Sequence, residues 1–320
     1  MASPTLLEPP LNLRNGDEPG RSDAAARQPR RPDEFQPRSL LRVGLIGFGR
    51  TGRDVAKLLL TDDGMRLEWV IRRSDTLEHR SVPEFLDVEA DEPGIIHSAR
   101  QISPHTLLDR FPVDVIIDFS SETGLDYYGD EAAARGIAIV TAISRYSEAK
   151  QRQLERLART TRVLWSPNIT LGINFMLLAA QSLHRIAPGA DVQIVEEHFR
   201  DKAEVSGTAL RLARALDLPD NAVHMIRAGG IIGVHEVLFG FPAQTVRLRH
   251  EAISREAFGN GAMFAARHVV DREPGLYRME DLLRPYFADH ERAGPRHEQR
   301  RGGVRGRLAS RLRAVARRLD

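Results

Sequence analysis

Residues 42–60 read RVGLIGFGRTGRDVAKLLL. A short apolar run ends at Ile46, Gly47-Phe48-Gly49-Arg50-Thr51-Gly52 follows, and apolar positions then recur at helical spacing. Strand, glycine-rich turn and helix in that order open a dinucleotide-binding βαβ unit. The first glycine makes the tight turn, the second lets the backbone approach a pyrophosphate, and the third lets helix pack on strand, while the helix N-terminus faces the phosphates. All six residues of the turn are therefore candidate cofactor ligands.

Outward from this stretch the alternation continues. RLEWVIRR (66–73), VDVIIDFS (113–120), IAIVTAIS (137–144) and RVLWSPN (162–168) read as strands. EAAARG (131–136) ends one helix and residues 147–160 form another. This predicts an α/β fold with a Rossmann-type, doubly wound parallel sheet. After Asn168 the pattern changes to a long helix (171–186), a strand DVQIVEEHF (191–199), a helix from Ser206, and strand-like pieces over 222–241 and 243–253. These predict a second α+β domain with an open mixed sheet. The expected organisation is a disordered tail (1–41), a dinucleotide-binding domain (42–168) completed by about 260–287, a substrate and catalytic domain (169–259), and a basic tail (288–320). No internal repeat is visible.

The second strand bears on the nucleotide. An acid about 20 residues past the glycine turn would hold a ribose 2′-hydroxyl. Here the strand ends Ile71-Arg72-Arg73-Ser74, with no acid. Arg72 and Arg73 suit a 2′-phosphate, so NADPH is the expected cofactor and NADH the alternative.

Composition removes other classes. Hydrophobic residues make up 42% and charged residues 28% of 320, an ordinary mixture with enough apolar mass for a core. With no cysteine, disulfides, thiolate metal sites and a cysteine nucleophile are excluded, which fits the cytoplasm. No basic-then-apolar leader opens the chain, and no apolar run is long enough to span a bilayer. No histidine spacing indicates a metal, and no G-x-S-x-G elbow is present. The net charge of +2 hides an asymmetry: residues 291–320 hold ten Arg against two Glu and one Asp. Leu308, Leu312, Val315 and Leu319 fall on one helical face there. A membrane surface, RNA or a protein could each be that tail's partner.

Lysine occurs only at 57, 150 and 202. Lys202 stands four residues after His198, just past a strand whose Val192, Ile194, Glu196 and His198 share one face. Ser206-Gly207-Thr208 then opens a helix whose N–H groups and hydroxyls suit a carboxylate. An imidazole and an ammonium beside an anion cradle point to proton transfer on an acidic substrate. Lysine can surrender its proton in such a role and arginine effectively cannot.

The chain resembles the 4-hydroxy-tetrahydrodipicolinate (dihydrodipicolinate) reductases of bacterial lysine biosynthesis from about Arg42 to about Tyr286. GFGRTG is similar to the family's glycine turn, Ile117-Asp118-Phe119-Ser120 to its D-F-[ST] strand end, and Pro167-Asn168-Ile169-Thr170-Leu171-Gly172 to its interdomain segment. Glu196-Glu197-His198-Phe199-Arg200-Asp201-Lys202 with Ser206-Gly207-Thr208-Ala209 resembles its E-x-H-H-x-x-K…S-G-T-A signature. Arg227-Ala228-Gly229 and His235-Glu236-Val237-Leu238-Phe239 also look like family segments. The resemblance implies nicotinamide-dependent reduction of a cyclic unsaturated dicarboxylate. His198 and Lys202 would be catalytic, and Phe199, Ser206, Gly207 and Thr208 would line the substrate site. Phe119, Thr141, Ala142, Ile143, Ser166, Pro167, Asn168 and Ile169 would complete the cofactor site. A homo-oligomer, a tetramer in the family, is implied as well. The chain departs from the pattern at Phe199, where the family has a second histidine, at Glu204-Val205, one residue shorter than Asp-Ala-Pro, and at Thr141-Ala142-Ile143-Ser144 in place of G-T-T-G. The cofactor turn is a residue shorter than usual. A paralogous imine or amino-acid oxidoreductase, and a non-catalytic NADPH-binding sensor, are the two alternatives.

Overall fold

The computed structural model describes residues 40–91 and 94–288. The opening stretch forms β1 (Leu41–Ile46) and α1 (Arg50–Leu60). Alternation continues through β2 (Met65–Arg72), α2 (Val82–Leu86), β3 (Ile95–Ser98), α3 (Pro104–Arg110), β4 (Val115–Asp118), α4 (Leu125–Ala134), β5 (Ala138–Thr141), α5 (Glu148–Leu157) and β6 (Arg162–Trp165). After α6 (Leu171–Ile186) come β7 (Asp191–His198), α7 (Gly207–Ala215), β8 (Val223–Arg227), β9 (Val234–Phe241) and β10 (Gln244–Glu251). The chain then runs through α8 (Glu256–Val269), β11 (Gly275–Tyr277) and α9 (Met279–Ala288).

The first sheet has seven parallel strands in the order β11-β6-β5-β4-β1-β2-β3. Its central strands are apolar on both faces, because helices cover both sides of a parallel sheet. Val43, Leu45, Val70 and Ile117 pack with α1, α8 and α9, while Ile46, Ile71, Ile116 and Ile139 pack with α3, α4 and α5. The order reverses between β1 and β4, and ligands of such sheets bind at the carboxyl ends beside that point. The second sheet, β10-β9-β7-β8, is mixed: β9 runs antiparallel to β7 and β10, and β8 runs parallel to β7. Val192, Ile194, Val237 and Phe239 turn one face of it onto α6 and α7.

The expected α/β architecture, a Rossmann-type sheet plus an open mixed sheet, is the one observed. β11 pairs with β6, so the last described segment belongs to the first sheet. Leu41 already pairs with Met65, so β1 starts one residue inside the stretch read as an N-terminal tail. The remaining tail expectations, for 1–39 and 289–320, lie outside the described residues. Among the described residues no helix is long and apolar enough to cross a membrane.

Candidate active site

The glycine turn sits at the switch point. The Gly47 N–H donates to Ile71 O and the Phe119 N–H to Ile46 O, both at 2.8 Å, which pins the turn between β1, β2 and β4. Gly47 has φ +97°, and a Cβ there would lie 2.8 Å from the Phe119 backbone. A Cβ on Gly52 would collide with Gly47 O, whereas one on Gly49 would meet nothing within 4 Å. The first glycine therefore bends, the third admits α1 against the turn, and the second leaves its backbone open. Among the described residues no side chain caps α1, which leaves its first N–H groups available to an anion. These residues fit a dinucleotide. Phe48 is buried against Phe85, so only its backbone faces the turn. Arg50 is exposed and Thr51 half-buried.

Around the same edge, Arg72 ends β2 and Arg73 follows it, neither with an ion-pair partner among the described residues. The first acid beyond them, Asp75, is hydrogen-bonded to Ser98 at the end of β3. Phe119, Ala142 and Ile143 are half-buried at the ends of β4 and β5. The buried Thr141 hydroxyl pairs with Tyr146 OH at 2.7 Å. Ser166 and Ile169 are buried, and Pro167 and Asn168 half-buried, in the segment leaving β6. Asn168 Nδ2 donates to Thr208 Oγ1 at 3.0 Å, which ties the start of α7 to the carboxyl edge of the large sheet.

His198 is the last residue of β7 and is 8% exposed. Its Nδ1 lies 3.2 Å from Glu196 Oε2, within ion-pair range but out of line for a hydrogen bond. Glu196 is fully buried, takes a 2.7 Å contact from Arg227 Nη2, and accepts from the Ser206 N–H at 3.1 Å. His235 stacks edge-on to His198 with centroids 5.3 Å apart and meets Ser206 Oγ at 3.0 Å through Nε2. Burial pushes the Glu196 carboxyl up, but Ser206 and Arg227 outweigh it and hold it below its ordinary range. Burial lowers His198; the Glu196 charge opposes this, and the Lys202 and Arg227 charges add to it. His235, more deeply buried and beside His198, is lowered to about 3.

Lys202 follows in the loop, half-buried, its ammonium without a partner among the described residues. Phe199 is 44% exposed. Ser206 is the N-cap of α7, accepting from the Ala209 N–H at 3.0 Å, and its hydroxyl is buried against His235. Gly207, exposed with open space at its Cβ position, and Thr208 are left at the mouth of the helix. Glu196, His198 and His235 also bring three ligand-type atoms within 4.8 Å, a closeness that chain spacing did not reveal. Arg227 already neutralises the carboxylate and Ser206 occupies His235, so the three are built as an ion-paired cluster rather than a metal cage.

Residues 41–169 match the family described as dihydrodipicolinate reductase, N-terminus, and residues 172–283 match its C-terminus. The chain belongs to the dihydrodipicolinate reductase family. The 4-hydroxy-tetrahydrodipicolinate reductase of Myxococcus xanthus is 34% identical over 269 residues, covering 76% of this chain and 98% of that one. That of Nitratidesulfovibrio vulgaris (Miyazaki F) is 30% identical over 261 residues, covering 73% and 96%. Among solved structures, the dipicolinate-bound dihydrodipicolinate reductase from Paenisporosarcina sp. TG-14 superposes with a TM-score of 0.63 at 20% identity, covering 76% and 99%. An amine dehydrogenase from Mycobacterium smegmatis shares the fold at a TM-score of 0.55 and 12% identity, covering 76% and 96%. The fold alone thus does not choose a substrate. Family membership makes this chain an NAD(P)H-dependent oxidoreductase of the lysine and diaminopimelate route.

Proposed function

We propose that the chain reduces 4-hydroxy-tetrahydrodipicolinate, with His198 and Lys202 handling protons and NADPH as the preferred reductant. The observation that carries this is the meeting, at one strand exit, of a buried imidazole, an ammonium without a partner among the described residues and an open helix start. When bound, the nicotinamide supplies the hydride. The Gly47–Gly52 turn and the free start of α1 would hold the pyrophosphate, with Arg72 and Arg73 toward a 2′-phosphate. Thr208 and the Gly207 backbone would hold a substrate carboxylate, and Lys202 would protonate the substrate as its charge changes. Nothing in the site favours an amino-acid substrate or a purely sensory role.

The test is NADPH oxidation with freshly generated 4-hydroxy-tetrahydrodipicolinate beside a panel of cyclic imines. Turnover restricted to another imine would sink the substrate assignment. NADPH should bind more tightly than NADH, since Asp75, the acid nearest beyond Arg72 and Arg73, is held by Ser98. Arg72→Asp with Arg73→Ala should erase that gap, and equal Kd values in the native protein would contradict it. We further propose a cytoplasmic homo-oligomer, a tetramer by family likeness. The outer face of the small sheet leaves Val195 and Leu238 half-buried and Ile226 46% exposed. Light scattering measures the copy number directly.

A further inference from the structure

We propose that the pair of buried Glu196 and half-buried Arg227 is the positioning frame of this site, with Glu196 orienting His198 and Arg227 holding the Lys202 loop. This rests on the reductase function proposed above. Neither residue need touch substrate, and they lie 31 positions apart in the chain.

Glu196 alternates onto the apolar face of β7, beside Val192 and Ile194, where a carboxylate is costly unless fully paired. Arg227 Nη2 and the Ser206 N–H pair it. His235 adds a third link. Among the described residues its Nδ1 has neither a hydrogen-bond partner nor, unlike His198 Nδ1, a carboxylate in ion-pair range, and a bare acceptor is cheaper to bury than an orphaned N–H. Its proton is therefore on Nε2 and is donated to Ser206 Oγ, which frees the Ser206 hydroxyl hydrogen for Glu196. The donors all converge on the carboxylate, so its charge is fixed in place where it faces His198 Nδ1. An Nδ1–H imidazole is attracted to it and keeps Nε2 for the reacting side. A Cβ on Gly233 would stand 3.2 Å from that Nε2, so this edge of the ring is left clear by a residue with no side chain. His198 Nδ1 stands 3.2 Å from the carboxylate without the alignment of a hydrogen bond, so the attraction that selects the tautomer is one of charge.

Arg227 does the second half. Its Nε donates to Lys202 O at 2.7 Å, and its Nη2 donates to Glu204 O at 2.9 Å as well as to Glu196. One planar guanidinium thus ties the loop that carries Lys202 to the strand that carries His198. Lysine, a point charge on a flexible stem, cannot hold three acceptors in this arrangement. The charged and titratable groups facing His198 are Glu196 on β7, Lys202 in the loop, Arg227 on β8 and His235 on β9, with His250 on β10 behind His235. Glu196 is the only anion among them, so removing it moves the His198 titration to lower pH.

The experiment uses the full-length protein with isotope-labelled histidine. In the native molecule, neutral His198 should carry its proton on Nδ1; an Nε2–H tautomer overturns the Glu196 half. Glu196→Gln should lower the His198 titration midpoint and shift the high-pH fall of kcat/KM to lower pH. Its kcat should drop by about tenfold or more, with KM changed far less. If Glu196→Gln does not fold, Glu196→Asp keeps the charge at a shorter reach and should lose turnover with the midpoint near native. Arg227→Lys should lose turnover similarly while leaving the midpoint in place, because the charge is kept and the loop released. Native kcat and pH profile in these variants would overturn the frame. Failure of the native protein to turn over the dicarboxylate rejects the proposed function instead, and the histidine spectra still judge Glu196.

Discussion

Lys202→Arg separates proton delivery from charge. Arginine keeps the charge but does not give up its proton, so turnover should fall by about 10²–10⁴-fold with a much smaller change in KM. Steady-state kinetics distinguish this from an anchoring role, in which KM alone would rise. Ser206 shows how a single residue's part is decided in three dimensions. From the chain it reads as a substrate ligand at a helix start, yet its hydroxyl caps α7 and meets His235. Ser206→Ala should therefore cost about 0.5–2 kcal/mol of stability through the lost cap. That loss should register in thermal unfolding with or without substrate present. Glu196 carried a signal in the sequence, as an acid among apolar positions of one strand face, but its partners Arg227 and His235 are remote in the chain.

Among the elements, α1 and its turn offer the cleanest separation of binding from folding. Gly49→Ala adds a methyl into open space, so unfolding should be unchanged while dinucleotide affinity falls. Gly52→Ala drives a methyl into Gly47 O, so α1 must move and both stability and affinity should fall. Calorimetry with and without NADPH tests the pair, and equal losses of stability would contradict it. Long elements were legible from pattern: α6 spans residues 171–186 as read, and β7 ends at His198. Most of the elements passed over were short, although the ten-residue α9, with Pro285 inside it, was passed over too. β3 has four residues and β11 three, too few for alternation to register. α3 carried an unused sign, Ser103 capping the Thr106 N–H ahead of Pro104.

At the scale of the whole molecule, both sheets and every proposed site residue lie within residues 40–288, so a chain trimmed to that range should keep its turnover. Loss of activity on trimming would give the outer segments a role in the site. Stability should also depend on pH through Asp118, fully buried at the end of β4 and bonded to Ser120 and Tyr128. Burial raises it from 3.8 to about 6 against those hydrogen bonds. An acid raised on folding contributes stability that is present below its unfolded pKa and lost as pH rises through the folded one. That loss runs from about pH 4 to 6 and amounts to about 3 kcal/mol. Asp118→Asn should therefore gain on the native protein as pH rises across that window. Buried His97 and His235 and half-buried His250 are all lowered, and they titrate with the opposite sign. Only the difference between the variant and native curves isolates Asp118, and a flat difference would contradict the expectation.

By itself the sequence determined the fold class and pointed to the glycine turn and to the pair His198 and Lys202 as site candidates. Each of these is a local pattern: a glycine spacing, a period of two, or a motif within eleven residues. Only the tertiary structure decided which groups complete the site. Arg227 and His235 reach Glu196 because β8 and β9 flank β7 on either side, and Asn168 reaches Thr208 across 40 residues. Periodicity says which face a side chain occupies. It does not say which strand lies beside it, because strand order is set by how the three apolar cores close, and those contacts are distant in the chain.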